Sequence, residues 1–373
     1  MARILPRWLG VAFAALAFTV FAAACGSGGD DEASSGGGGG AKETVVGFIY
    51  VGTVDDGGYN QAAYQGEQAV DKMPNVKTIH AENVPETAEA ERVMEQMIQQ
   101  GATIIFPTSF GHLDPALNVA KKHPKVTFFH EGGLKSSDNL GTFFGTIWQT
   151  EYLAGMAAGS ASKTGKLGFV VAFPISQTLL NINAFHLGAR SVNPNATTTV
   201  VFTSNWCDPA KNAEATQSLV SQGIDVITQH QDCPVPVIQA SEKAGIMSVG
   251  YHVDDTKFAP NGWLTAATWD WTGLFPKLVT EAQNGTYKPA VQRYFLKDGV
   301  VSLAPFGAKV SKDTQEKIAA VRTKMATDEF LAFVGPVKDQ SGAVKIADGV
   351  KPDITTLESM NWLAEGVVGT IPR

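Results

Sequence analysis

From Thr44 onward, short apolar runs alternate with longer stretches whose apolar residues keep helical spacing. Thr44 to Val51 is a compact apolar run of the length that suits a buried strand. Asn60 to Val70 follows as a helix, and Glu86 to Gln100 is a second, with Val93, Met97 and Ile98 on one face. Strand-like runs return at Thr103 to Pro107 and at Val126 to His130. Further on, a helix over Leu274 to Gln283 ends at Asn284-Gly285, where the glycine suits a left-handed cap. Such alternation predicts an α/β protein whose parallel sheets carry helices on both faces.

The pattern is duplicated. Gln100-Gly101, a strand and then Phe110 recur as Gln222-Gly223, a strand and then Asp232. At nearly the same offset, Val46-Gly47-Phe48 recurs as Leu167-Gly168-Phe169, and Tyr64-x-Gly66 as His186-x-Gly188. Two related lobes are therefore expected, one from 44–147 plus 268–295 and the other from 148–267 plus 296–373, joined by a multi-strand hinge. Ala266 to Asp270 reads as a return to the first lobe, with Trp269 and Trp271 near the crossing.

Parallel sheets bind ligands beyond the carboxyl ends of their strands, and facing lobes share one cleft there. The residues after each strand are thus the candidates: Tyr59, Asn60, Ser109, Phe110 and Glu131 from the first lobe. From the second come Phe173, Trp206, Asp232 and Asp254, with Trp269 at the crossing. So many large aromatics at loop positions point to a flat apolar ring, its polar edge read by carboxylates and amides. Asn60 reads equally well as a helix N-cap, and His130 and His252 as structural hydrogen bonders.

Charge narrows the picture. The 373 residues carry a formal charge of −7 without a basic stripe, so no nucleic-acid partner is expected. Gly159 to Lys166 misses phosphate-loop spacing, and no zincin histidine pair or Gly-x-Ser-x-Gly elbow occurs in the folded region. No catalytic residue, metal or cofactor is expected.

The first residues read as an export signal. Arg3 and Arg7 precede an apolar stretch from Leu9 to Ala24, too short for a membrane span. Ala22-Ala23-Ala24-Cys25 resembles the lipobox of bacterial lipoproteins, which implies a signal peptide over 1–24 and a palmitate-type lipid anchor on Cys25. Cleavage and free secretion is the other reading. Residues 25–43, with the run Gly36 to Gly40, form a flexible tether with a reach of roughly 20–25 Å. Cys207 and Cys233 are then an even pair in an oxidising compartment. They follow predicted cleft positions on consecutive strands, so a disulfide is expected, stabilising by roughly 3 kcal/mol.

Several stretches carry a resemblance to a known family. They include Gly47-Phe48-Ile49-Tyr50-Val51-Gly52, Asp56-Gly57-Gly58-Tyr59-Asn60 and Pro107-Thr108-Ser109-Phe110-Gly111. Asn205-Trp206 with Asp208-Pro209, Gln229-His230 with Asp232, Gly335-Pro336-Val337-Lys338-Asp339 and Met360-Asn361-Trp362 continue it. From Val45 to Pro372 the chain resembles the basic membrane protein family, lipoproteins that serve ABC importers as substrate-binding components. The resemblance implies a type I periplasmic-binding-protein fold with a closing cleft and a purine base or nucleoside as ligand. Tyr59 and Asn60 match a stacking and hydrogen-bonding pair, and Asp254 matches a ligand-bonding acid. The Gln229-His230-x-Asp232 and Asn205-Trp206 pattern is similar to the branch taking free bases. Tyr59 in place of tryptophan, and the two cysteines, depart from that branch.

The implied protein is a monomeric lipoprotein on the extracytoplasmic face of the cell membrane, handing its ligand to an ABC permease. A sugar or another heterocycle as ligand, or a sensor feeding a membrane receptor, stay open as alternatives.

Overall fold

The computed structural model describes residues 43–327 and 332–372. The predicted leader, Cys25 and nearly all of the tether lie outside the described residues.

Strands and helices alternate through the first lobe: β1 (Thr44–Ile49), α1 (Tyr59–Asp71), β2 (Val76–Ala81), α2 (Ala88–Gln99) and β3 (Ala102–Pro107). Then come α3 (Leu113–Lys122), β4 (Thr127–Glu131) and β5 (Leu140–Gly145). The second lobe repeats the scheme with α4 (Trp148–Ala161), β6 (Lys166–Val171), α5 (Ser176–Val192), β7 (Thr197–Phe202) and α6 (Pro209–Ser221). It continues through β8 (Val226–His230), α7 (Val235–Lys243), β9 (Met247–His252) and β10 (Trp263–Trp269). Next are α8 (Leu274–Gln283), β11 (Val291–Tyr294), β12 (Val301–Leu303) and α9 (Lys312–Ala326). A small hairpin, β13 (Val337–Lys338) and β14 (Val344–Ile346), precedes α10 (Ile354–Glu358) and β15 (Val367–Val368).

The first sheet has the order β11-β5-β4-β3-β1-β2, and the second β12-β10-β9-β8-β6-β7-β15. All neighbours run parallel except β12, which is antiparallel to β10. Central strands such as β8 and β10 are buried along their whole length, because helices cover both faces. These are the two lobes that the duplicated pattern predicts, in the periplasmic-binding-protein arrangement that the family resemblance implies.

The return to the first lobe lies later than the sequence suggests. Ala266 to Trp269 remains in the second sheet, because Ala266 and Ala267 pair with Gly250 and Tyr251 of β9, and Trp269 with Val301 of β12. The crossing begins at Asp270. With the passages from β5 to α4 and from β11 to β12, the chain moves between the sheets three times.

One helix pair is held unusually close. From Trp148 to Gly159 every residue of α4 is buried, so it is a core helix with no polar face. It packs on α5 through glycines: a Cβ at Gly155 would lie 2.0 Å from the carbonyl oxygen of Phe185, and one at Gly188 1.9 Å from that of Tyr152. Side chains at these positions would force the backbones apart.

Cys207 and Cys233 are bridged, with Cα atoms 5.2 Å apart across 26 residues of chain. Replacing both by serine is expected to lower unfolding free energy by roughly 3 kcal/mol, read from the urea midpoint. Two titratable thiols in the native, unreduced protein would contradict the bridge.

Candidate ligand-binding site

The carboxyl ends of both sheets face one small cavity of about 20 Å³, room for little more than a single water between the closed lobes. The first lobe lines it with Tyr59, Ser109, Phe110 and Phe144. The second contributes Gln177, Trp206, His230, Asp232, Tyr251 and His252, with Trp269 at the end of β10. Six of the residues read from the sequence thus meet here: Tyr59, Ser109, Phe110, Trp206, Asp232 and Trp269.

Direct bonds close the lobes on each other. The backbone N–H of Tyr59 donates to the carbonyl of Asp232 at 3.0 Å, and the Gln177 amide to the carbonyl of Gly132 at 2.7 Å. Trp206 Nε1 donates to Glu86 at 3.3 Å, and Arg293 is paired with Glu358 through Nη2 and Oε2 at 3.1 Å. Gly58 makes this closeness possible, since a Cβ there would lie 2.0 Å from the Asp232 carbonyl oxygen.

Around the cavity most rings are pinned. The Tyr59 hydroxyl donates to the carbonyl of Thr108 at 2.6 Å, and its ring meets His252 edge-on, centroids 5.3 Å apart. His252 spends both nitrogens on protein: Nδ1 accepts from Trp269 Nε1 at 2.9 Å, so Nε2 carries the proton and donates to the carbonyl of Gln231 at 3.1 Å. Burial, then the neighbouring His230, pushes its pKa well down. His230 is likewise neutral, its pKa lowered to about 3 by burial. Asn181 Nδ2 lies 3.1 Å from His230 Nδ1 and 2.8 Å from the Tyr251 hydroxyl. Asp232 is held well above the usual carboxylate range, first by burial and then by the charges of Asp56, Glu86 and Glu131.

Four sequence candidates stand away from the cavity wall. Phe173 is half-buried and packs edge-to-face on Trp206, centroids 5.1 Å apart, so it braces the ring from behind. Glu131 is fully buried beside Tyr59, and burial raises its pKa well above normal. Asn60 is committed to the fold: its amide donates to Asp56 at 2.7 Å and accepts from the Gly52 N–H at 3.3 Å. Nor is it the cap of α1, which begins at Tyr59. The Asp56 carboxylate instead receives the N–H groups of Gly58, Asn60 and Gln61. Asp254 is exposed, its carboxylate taking the N–H and hydroxyl of Thr256. A short polar residue two positions ahead of a turn saturates itself locally in this way.

The sequence reading missed Phe144, Gln177 and Tyr251. Phe144 lies in β5, whose apolar run Leu140 to Phe144 carries a strand signal that leads to it. Gln177 sits in the first turn of α5 and Tyr251 inside β9, positions with no chemical signal of their own.

Residues 43–330 match the model of the Bmp family, described as PnrA-like ABC transporter substrate-binding proteins. The chain belongs to that family. A purine-binding protein of Brucella abortus is 36% identical over 333 residues, covering 88% of this chain and 94% of the relative. A putative ABC transporter glucose-binding protein of Haloferax volcanii is 34% identical over 332 residues, covering 88% and 82%. Among solved structures, a transcriptional activator of the comK gene from Bacillus halodurans superposes with a TM-score of 0.67 at 26% identity, over 77% of this chain and 99% of that one. An ABC transporter solute-binding protein from Aeropyrum pernix K1 gives 0.69 at 16% identity, over 85% and 96%, a likeness of fold.

This Bmp-family chain is thus an extracytoplasmic solute-binding protein rather than an enzyme, and its partners are a small molecule and an ABC permease. Among the described residues no helix is long and apolar enough to cross a membrane.

Beside the cleft, Asp255 is buried, and a Cβ on Gly57 of the opposite lobe would lie 3.8 Å from its Oδ2. Burial raises its pKa from 3.8 to about 7, Asp254 and Asp56 push the same way, and Lys257 opposes them. A carboxyl raised by folding holds more protons in the folded state. Its contribution is complete below pH 3.8 and is lost as pH rises through about 7. Asp255→Asn is expected to gain stability over wild type as pH rises across that window, measured as the difference in urea midpoints. Parallel pH profiles would contradict this.

Proposed function

We propose that this protein captures a purine base, or the base of a purine nucleoside, in the cleft and presents it to an ABC permease. The carrying observation is the meeting of Trp206, Tyr59 and Asp232 in one small inter-lobe cavity. Aromatic rings supply stacking area for a flat heterocycle. Asp232, its pKa pushed up by burial, and the neutral His230 supply polar groups for its edge. The purine-binding relative supports the same ligand class. Opening and closing of the lobes about the three connecting segments loads and releases the ligand. The protein acts as a monomer, held at the extracytoplasmic face of the membrane by a lipid on Cys25.

A thermal-shift series on residues 41–373 with adenine, guanine, their nucleosides and glucose tests the ligand. A purine at a hundred times its Kd is expected to stabilise by about 2.7 kcal/mol. Silence from all purines alongside a shift with glucose would replace the ligand by a sugar. Trp206→Ala is expected to lose about 1–3 kcal/mol of binding, by calorimetric titration; unchanged affinity would remove Trp206 from the site. Cys25→Ser is expected to move the full chain from the membrane fraction to the soluble one. Persistence on the membrane would rule out the anchor.

A further inference from the structure

Glu86 stands in the loop between β2 and α2, and its carboxylate gathers donors from both lobes. Oε1 accepts from the Ser109 hydroxyl at 2.6 Å and from the Gly111 N–H at 2.8 Å, both on the first lobe. Oε2 accepts from the Trp206 indole N–H of the second lobe at 3.3 Å. Gly111 leaves the room this needs, since a Cβ there would lie 2.5 Å from the Glu86 carboxyl carbon. The first-lobe loops therefore fix the carboxylate, and its second oxygen is aimed across the cleft.

The other end is fixed as well. The Asp232 N–H donates to the Trp206 carbonyl at 2.8 Å, the Cys207–Cys233 bridge ties the two loops one residue further on, and Phe173 packs against the ring. An indole has a single polar donor, and here it is spent on Glu86. That bond exists only while the lobes meet, so it ties the orientation of the ring to closure.

We infer that Glu86 is a positioning residue: acting through Trp206, it holds the stacking ring over the ligand and slows reopening of the cleft. This rests on Trp206 being the stacking ring, as proposed above. A contact completed on closure slows release more than it speeds capture.

The test is a double-mutant cycle of wild type, Glu86→Ala, Trp206→Phe and the double variant, with adenine association and dissociation followed by stopped flow. Trp206→Phe keeps a stacking ring and removes the donor. Each single variant is expected to release adenine roughly tenfold faster with little change in association, and the double variant no faster than either single. Multiplying effects, or unchanged release from Glu86→Ala, would overturn the inference. Should Glu86→Ala fail to fold, Trp206→Phe alone decides, and an unchanged release rate overturns it. The ¹⁵N indole resonance of Trp206, assigned by its loss in Trp206→Phe, gives a readout without ligand and is expected to move in Glu86→Ala. If adenine fails to bind wild type, the purine reading falls, and this resonance decides the role of Glu86: an unmoved signal overturns it.

Discussion

The backbone bond from Tyr59 to the Asp232 carbonyl sets the distance at which the lobes meet. It requires glycine at position 58, because any side chain there would collide with the same carbonyl. Once the backbones touch, the strand ends of both sheets enclose a space too small for bulk water to screen what lies in it. Everything else about the site follows from that enclosure. Rings become walls, polar side chains must find partners within the protein or in a ligand, and charges carry a desolvation cost.

Enclosure decides the electrostatics. His230 and His252 are kept neutral, and the pKa of Asp232 is pushed well up, first by burial and then by Asp56, Glu86 and Glu131. Among the described residues no lysine or arginine lines the cavity. Such a wall suits an uncharged ring with donors and acceptors on its edge and disfavours a phosphorylated one, whose charge would meet acids and no cation. Stacking area and a neutral polar edge are the features that the proposed purine ligand would meet there.

Much of this was legible in the sequence. The duplicated Gln-Gly turns and Val-Gly-Phe and Leu-Gly-Phe strands mark the two lobes, because buried parallel strands and their turns tolerate few residue types. Aromatics after strands mark the cleft, because such loops would otherwise be polar. What stayed hidden depends on partners distant in sequence. Asn60 and Asp254 have the right types at the right places, yet Asp56 holds the first and Thr256 the second. Glu86 looks like an ordinary helix start, and only the approach of Trp206 across the cleft gives it a role. The later crossing at Asp270 is set by the pairing of β10 with β9 and β12, which periodicity alone does not encode.

A crystal structure of residues 41–373 grown with adenine tests the central claim most directly. The account predicts a flat ring in the cleft, stacked on Trp206 and bonded along its edge to Asp232, with the Tyr59–Asp232 and Trp206–Glu86 bonds intact. A ring bound elsewhere, or lying in a cleft that leaves Trp206 and Asp232 untouched, would contradict it.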